Sequence, residues 1–367
     1  MIKPMLFSPG PVMVEECVRQ ELLHHDICHR SREFEVMFRD IQSKINRLFK
    51  ADENYCSLII SGSGTSANEA VLSSIFKNED EVLLISNGEF GHRLEEIINK
   101  YNIKMVKPEF EWNEYPDINV IEEALKKNPK IKVIAMVFHE TSTGMINPVY
   151  EVGQISKKYN KTFYVDAVSA AAGEDVNVVK NNIDIVTSVG GKCLGAFPGS
   201  AYICAKEDVL KRIDEKQCKN IYLNLFKHYI VAKNSSQTPN TPNVTLFFAL
   251  NKALERLLDV EGLENRILRY KTCAGILRDG LKKRNFKFLI EDETKMSNTV
   301  TSVFMPEGKN VDKFIKMMEE EGYVIYPGKG NYYKEGMIQV ANMGNINPDD
   351  CHTFLKVLDK VINRINA

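Results

Sequence analysis

The residues from Lys161 to Gly199, KTFYVDAVSAAAGEDVNVVKNNIDIVTSVGGKCLGAFPG, constrain the fold more than any other stretch of the chain. Two apolar runs with strand character lie in it, and each ends on a residue with chemistry to offer. Phe163-Tyr164-Val165 delivers Asp166, and Ile183 to Val189 delivers Lys192 after two glycines. Their separation allows a short crossover between neighbouring strands. Open α/β sheets bind ligands at the carboxyl ends of their strands, so an acid and an amine are predicted at one sheet edge. The pair suits pyridoxal phosphate, with the lysine carrying the aldehyde and the carboxylate keeping the pyridine nitrogen protonated. The same two residues also suit a surface lysine after a strand and an aspartate that caps a helix.

At 367 residues the chain is too long for one ordinary core, and two domains are expected. Net charge is −1, from 48 basic and 49 acidic residues with no long run of either sign. That leaves no electrostatic case for a nucleic-acid or membrane partner. The opening MIKPMLFSPGPV has no secretory apolar core, and no apolar run approaches the length of a membrane span. Eight cysteines are scattered without a C-x-x-C, as expected of reduced thiols in a cytoplasmic protein.

Ser8-Pro9-Gly10-Pro11 opens with turn chemistry, and an arm over residues 1–20 is expected, with a helix from Val14 to His25. His25 and His29 are four apart, but no third ligand stands near them and no metal is expected. Arg30 and Arg32 read as candidate anion binders or as a solvated pair. Glu33 to Lys50 predicts an amphipathic helix, with Phe34, Met37, Phe38, Ile41, Ile45 and Leu48 on one stripe.

Ser57 to Ile60 predicts a strand ending in Ser61-Gly62-Ser63-Gly64-Thr65, with a helix from Ser66 to Phe76 behind it. Free backbone N–H groups and the helix dipole make such a turn an anion site. The turn lacks the third glycine of a dinucleotide fingerprint and the Gly-Lys-Ser/Thr of a nucleotide P-loop. Hydroxyls at 63 and 65 suit a single phosphate, and a plain tight turn explains the residues as well. Val82 to Ser86 is a strand that exits at Asn87-Gly88-Glu89-Phe90-Gly91, where Phe90 either lies over a ring or packs on the core. Ile131 to Phe138 reads as a strand covered on both faces, and it ends in His139-Glu140-Thr141-Ser142-Thr143-Gly144. With helices over Ile118–Lys127 and Pro148–Tyr159 and a strand over Ala201–Ala205, the alternation predicts a doubly wound α/β fold around a mostly parallel sheet. Residues 214–240 read as irregular. Helices from Leu246 to Leu258 and Leu263 to Arg284 lead into a shorter βαβ-like unit with strands at Thr299–Phe304, Tyr323–Tyr326 and Met337–Val340. The expected division is an arm over 1–20, a large domain over 21–260 and a small C-terminal α/β domain over 261–367.

Five strand tips thus carry Gly-Ser-Gly-Thr, Asn-Gly-x-Phe-Gly, Glu-Thr-Ser-Thr-Gly, Asp166 and Lys192. In this order the chain resembles the fold-type I pyridoxal-phosphate enzymes, within them the class V aminotransferases, and within those the 2-aminoethylphosphonate–pyruvate transaminases. The similarity runs from Ser8-Pro9-Gly10-Pro11 to Val340-Ala341-Asn342-Met343-Gly344. Its specific phrases are Glu140-Thr141-Ser142-Thr143-Gly144-Met145-Ile146-Asn147-Pro148, Lys192-Cys193 and Val324-Ile325-Tyr326-Pro327-Gly328-Lys329. His29-Arg30-Ser31-x-Glu33-Phe34 is similar instead to the alanine/serine–glyoxylate branch of that class.

The resemblance implies ping-pong, Schiff-base transfer of an amino group from a small amine donor, foremost 2-aminoethylphosphonate, to pyruvate, in a homodimer with composite sites. It assigns Lys192 to the cofactor aldehyde and the proton shuttle, Asp166 to the pyridine N–H and Phe90 to the ring face. Ser63, Gly64 and Thr65 fall to the phosphate, Ser142 or Thr143 to the ring oxygen, and Thr241 to the phosphate of the neighbouring subunit. Ser8, Gly10, Arg30 and Gln339 stand as its substrate residues. Two departures are evident. The chain has Ile338-Gln339-Val340-Ala341 where the family usually shows an arginine that grips the substrate anion, and Gly191 precedes the lysine where Asn or Gln is usual. Arg30, Arg32, Arg93 and Lys329 are the candidates to supply the missing charge. The alternative of the same class is an alanine- or serine-dependent enzyme acting with glyoxylate or pyruvate. A lyase or cysteine desulfurase would need a mobile thiol in the small domain, yet none lies between Cys273 and Cys351. A nucleotide-binding module without catalysis is disfavoured by the incomplete glycine fingerprint.

Overall fold

The computed structural model describes residues 4–306 and 310–366. Seven strands build the main sheet: β1 (Tyr55–Gly62), β2 (Glu81–Ile85), β3 (Lys104–Val106), β4 (Ile131–Val137), β5 (Thr162–Asp166), β6 (Ile185–Val189) and β7 (Gly199–Lys206). Their spatial order is β1-β7-β6-β5-β4-β2-β3. All neighbours are parallel except β7, which runs against both β1 and β6, with Ala201 opposite Ile60 and Val189. The apolar runs of β2, β4 and β6 are buried almost throughout, as parallel strands covered on both faces must be. Asp166 sits opposite Val137 on one side and Thr187 on the other, so the acid projects from the middle of the sheet.

Helices α1 (Arg32–Leu48), α2 (Gly64–Leu72), α3 (Glu89–Lys100) and α4 (Val244–Glu255) belong to this body. The Ser31 hydroxyl accepts the Phe34 amide and caps α1, and the whole predicted stripe from Phe34 to Leu48 is buried. Phe34 and Phe38 meet Phe247 of α4 at ring distances of 5.8 and 6.5 Å, which fastens the two helices together.

The C-terminal part adds α5 (Leu263–Lys282), α6 (Pro348–Asn366) and a second sheet. That sheet is made of β8 (Lys287–Phe288), β9 (Val300–Phe304), β10 (Tyr326–Pro327) and β11 (Met337–Ala341), in the order β8-β9-β11-β10. Every neighbouring pair in it is antiparallel; β9 and β10, parallel to each other and joined by the helix Val311–Glu320, form the expected βαβ-like unit with β11 inserted between them. Apolar periodicity marks where strands are, whereas direction is set by where the last strand inserts, here between β9 and β10. Tyr323–Val324 leaves this sheet and pairs in parallel with Met5–Leu6, and Phe7 stacks on Phe354 of α6 at 4.5 Å. The arm is therefore sewn into a second apolar cluster with Leu277, Phe314 and Leu358.

Other boundaries shifted. Leu225–Ser235 is a helix, capped by Asn224, inside the stretch read as irregular. The helix expected over Val14–His25 is a short one over Glu16–Gln20 followed by a single 3₁₀ turn. Lys104–Val106 forms an edge strand too short to show a pattern.

Two helical glycines test the packing in opposite senses. A Cβ at Gly153 would overlap the carbonyl oxygen of Asn181, while one at Gly275 of α5 meets nothing within 4 Å. Gly153→Ala is expected to destabilise by about 1–3 kcal/mol. Gly275→Ala should gain up to about 1 kcal/mol from helix propensity alone. Urea unfolding midpoints check both; a Gly153→Ala protein as stable as the parent would refute the packing described.

Candidate active site

Lys192 follows β6 through a tight turn packed against Pro198. A Cβ at Gly191 would lie 2.8 Å from the Pro198 nitrogen, and Gly195 donates back to the Lys192 carbonyl at 2.9 Å. The lysine amine donates to the carbonyl of Pro9, and Gly10 packs on it so closely that a Cβ there would lie 2.7 Å from Nζ. Gly10 also has a φ of 126°, which favours glycine on its own account. Burial pushes the amine down to about 8, with the nearby positive charges of Arg93 and Lys329 adding to the effect. The arm thus delivers backbone against the one amine that the sheet presents.

The Asp166 carboxylate is buried, and burial pushes its proton affinity up. Two donors oppose that shift: the Val168 amide on Oδ1 at 2.8 Å and the Asn68 side-chain amide on Oδ2 at 2.6 Å. Asn68 is itself locked, because its Oδ1 accepts the hydroxyls of Thr187 at 2.7 Å and Tyr164 at 2.9 Å. Sequence reasoning missed Asn68. The available signal was a polar residue on an otherwise apolar side of α2, one turn beyond Gly64.

The anion cradle lies at the start of the same helix. Gly64 abuts Val168, where a Cβ would come within 2.6 Å of Cγ2, so α2 begins directly against the turn that holds Asp166. Ser63 is the extended, exposed N-cap residue, and its side chain makes no capping bond. The helix opens with the amides of Gly64 and Thr65 outside its own hydrogen-bond ladder. Tyr222 donates to the Ser61 carbonyl at 2.9 Å, and the Asn243 amide donates to the Ser61 hydroxyl at 2.8 Å. Thr241 is exposed beside them, 3.5 Å from His29 Nε2. Arg30 is engaged elsewhere: it donates to Gln237 Oε1 at 2.8 Å, Thr238 O at 2.7 Å and Pro239 O at 3.2 Å. It clamps the 237–239 loop.

Phe90 stands in the first turn of α3, and what fixes it is Glu140. That buried carboxylate accepts the amides of Phe90 at 3.2 Å and Gly91 at 3.1 Å. It also takes the Ser142 hydroxyl at 2.5 Å, and these bonds counter the upward push of burial. Ser142 Oγ in turn accepts the Glu89 amide at 3.1 Å, while the Thr143 hydroxyl donates to the Glu140 carbonyl at 3.2 Å. Both hydroxyls therefore shape the strand tip. Gln339 departs from the expected role too. It is 1 % exposed, and its amide donates to Thr141 O at 2.8 Å, Ser142 O at 3.1 Å and Ser302 Oγ at 3.0 Å. Ser8, also buried, donates to Pro11 O at 3.1 Å and shapes the arm. Of the four expected substrate residues, Gly10 packs against Lys192.

A neutralisable amine, a buried carboxylate and a helix-start anion cradle at one sheet edge match the aldehyde, ring nitrogen and phosphate of pyridoxal phosphate in kind. Among the described residues no cluster of ligands could hold a metal, and no helix is long and apolar enough to cross a membrane. A groove of about 910 Å³ at the opposite end of the strands, lined by Lys132 and Thr162, contains none of these groups.

The chain matches the model of the aminotransferase class-V family over residues 18–331. It is 34 % identical over 346 residues to an uncharacterized aminotransferase of Methanocaldococcus jannaschii, covering 94 % of this chain and 88 % of that one. It is 30 % identical to 2-aminoethylphosphonate–pyruvate transaminase of Salmonella paratyphi C, covering 96 % of each. The crystal structure of ureidoglycine–glyoxylate aminotransferase from Bacillus subtilis superposes with a TM-score of 0.93 at 28 % identity, covering 100 % of this chain and 95 % of that one. The chain belongs to the class V aminotransferases, a pyridoxal-phosphate-dependent family of fold type I.

Proposed function

We propose that the protein transfers an amino group from a small amine donor, best matched by 2-aminoethylphosphonate, to pyruvate. The observation that carries this reading is the depressed amine of Lys192 beside the donor-stabilised carboxylate of Asp166. When bound, pyridoxal phosphate supplies the electron sink for the carbon that gives up its proton. Lys192 Nζ, neutral over a usable fraction at neutral pH, moves that proton. Asp166 holds a proton on the ring nitrogen, and Asn68 keeps the carboxylate aimed. Ser63 and the amides of Gly64 and Thr65 hold the phosphate, Phe90 covers a ring face, and Thr241 serves the site of a second copy in a homodimer. A glyoxylate-dependent enzyme using alanine or serine is the second reading, favoured by the likeness to the Bacillus subtilis enzyme. A desulfurase is disfavoured, since Cys273 and Cys351 are both fully buried in the second apolar cluster.

Three outcomes test this. The yellow enzyme, titrated separately with 2-aminoethylphosphonate, L-alanine and L-serine, should bleach with the phosphonate and recover with pyruvate. Bleaching by alanine or serine alone would transfer the protein to the second reading. Asn68→Ala removes one of two donors from a buried carboxylate and should weaken cofactor affinity roughly 10- to 100-fold, read by fluorescence titration; unchanged affinity would refute Asn68's role. Because the Lys192 amine is lowered to about 8 from 10.5, its neutral form accumulates at lower pH than an ordinary lysine's. The rate at which the apoprotein captures the cofactor should therefore climb up to about pH 8 and then level. A rise that continues toward pH 10.5 would contradict the burial assigned to Lys192.

A further inference from the structure

Two positive side chains, Arg93 and Lys329, lie close enough to Lys192 for their charge to bear on its amine. Arg93 lies in the first turns of α3, with its guanidinium 5.1 Å from the centroid of the Phe90 ring. Its single ion pair, with Glu89, is long at 3.8 Å and solvent-exposed on both sides, which makes it weak. Lys329 comes from the other side. Tyr326 of β10 donates to the Gly10 carbonyl at 3.0 Å, and Gly10 is the residue that packs on the lysine amine. The Gly328 amide then closes a turn on Met337 O at 2.7 Å, which leaves Lys329 exposed at its tip. No carboxylate lies within 4 Å of Lys329 among the described residues.

Trp112 spans the gap between these two elements. Its ring sits 5.7 Å from that of His92, the neighbour of Arg93, and 6.3 Å from that of Tyr332. A Cβ at Gly330 would lie 3.2 Å from the indole. Trp112 thus joins the start of α3, which carries Arg93, to the turn that carries Lys329. Like charges beside a buried amine repel one another, and an anion seated among them relieves that repulsion. The other nearby cations are occupied: Arg30 by the 237–239 loop, Arg278 by Thr301 and Ser297, and Arg266 by Glu261. Arg32 pairs with Glu35 and is 78 % exposed.

We propose that Arg93 and Lys329 together hold the anionic tail of the amine donor. This rests on the aminotransferase reading above and names the residues that select its substrate class. The guanidinium offers paired donors to a phosphonate or carboxylate, and the ammonium a point charge. Donors with an anionic group two bonds from the amine-bearing carbon are favoured over plain alkylamines.

The test uses the cofactor-loaded protein and its Arg93→Gln, Lys329→Gln and Lys329→Arg variants. Spectral titration with 2-aminoethylphosphonate should show each glutamine variant binding roughly 10- to 100-fold more weakly, with Lys329→Arg largely restored. Ethylamine, which lacks the tail, should lose less than about threefold. Calorimetry with methylphosphonate, which carries the tail and no amine, should show the same loss without any turnover. The same pattern with L-alanine in place of 2-aminoethylphosphonate would support the clamp and name carboxylate as its anion. Equal losses for ethylamine, or unchanged binding of every anionic donor in both glutamine variants, would overturn the proposal. Weakened cofactor binding in Arg93→Gln with intact methylphosphonate binding would also overturn it, by assigning Arg93 to the cofactor. A parent protein that takes up no pyridoxal phosphate would overturn the aminotransferase reading, and this one with it. Should Arg93→Gln fail to fold, the exposed Lys329 pair still decides the matter.

Discussion

The buried carboxylate of Asp166 is the constraint to which the rest of the site answers. A charge at the centre of a covered sheet is costly unless donors surround it. The chain supplies one donor from the backbone at Val168 and one from Asn68 on α2. Because Asn68 must reach Asp166, α2 has to lie against the turn after β5. Because it lies there, its first residue meets Val168 and can only be glycine. The helix start that results is the anion cradle. Gly64 and Asn68 are one turn apart, so cradle and carboxylate are spaced by about 6 Å of helix rise. A single short helix therefore sets the distance between the anion cradle and the buried carboxylate.

Much of this was legible in the chain. Strands β2, β4, β5 and β6 read as continuous apolar runs because both faces of a parallel sheet are covered, and their exits carry the polar residues. What apolar pattern does not encode is direction. β7 and the whole second sheet run antiparallel, yet their residues alternate or cluster much as parallel strands would. Helix Leu225–Ser235 was missed for the related reason that its buried positions, Leu225, His228, Tyr229 and Ala232, mix polar with apolar types. Lys192 and Asp166 were readable because each stands at the end of a strong run.

The residues that hold those groups in place were harder to see. Asn68 and Glu140 act through contacts with distant segments, and nothing in local sequence marks a contact 98 or 50 positions away. Arg30 and Gln339 carry contacts that their residue types did not announce. Their types suggested an open ligand, and the fold uses both as ties, one to a loop and the other across the two halves of the molecule.

Gln339 also explains where the charge had to go. Position 339 is in the middle of β11, opposite Ser302 and Tyr326, and its side chain points into carbonyl oxygens of the 141–142 tip. A neutral amide satisfies those acceptors at no electrostatic cost. A guanidinium in the same buried place would need an anion at hand whether or not substrate was present. With glutamine there, the strand tip stays tied to the second sheet in every state, and Glu140 passes that rigidity on to Phe90 through the first turn of α3. Under the proposed function, selection of an anionic donor would fall to exposed cations such as Lys329, which water stabilises in the absence of a ligand. On the proposed reading, two tasks that one arginine would combine are separated here: holding the halves together falls to Gln339, and recognising the substrate's charge to other residues.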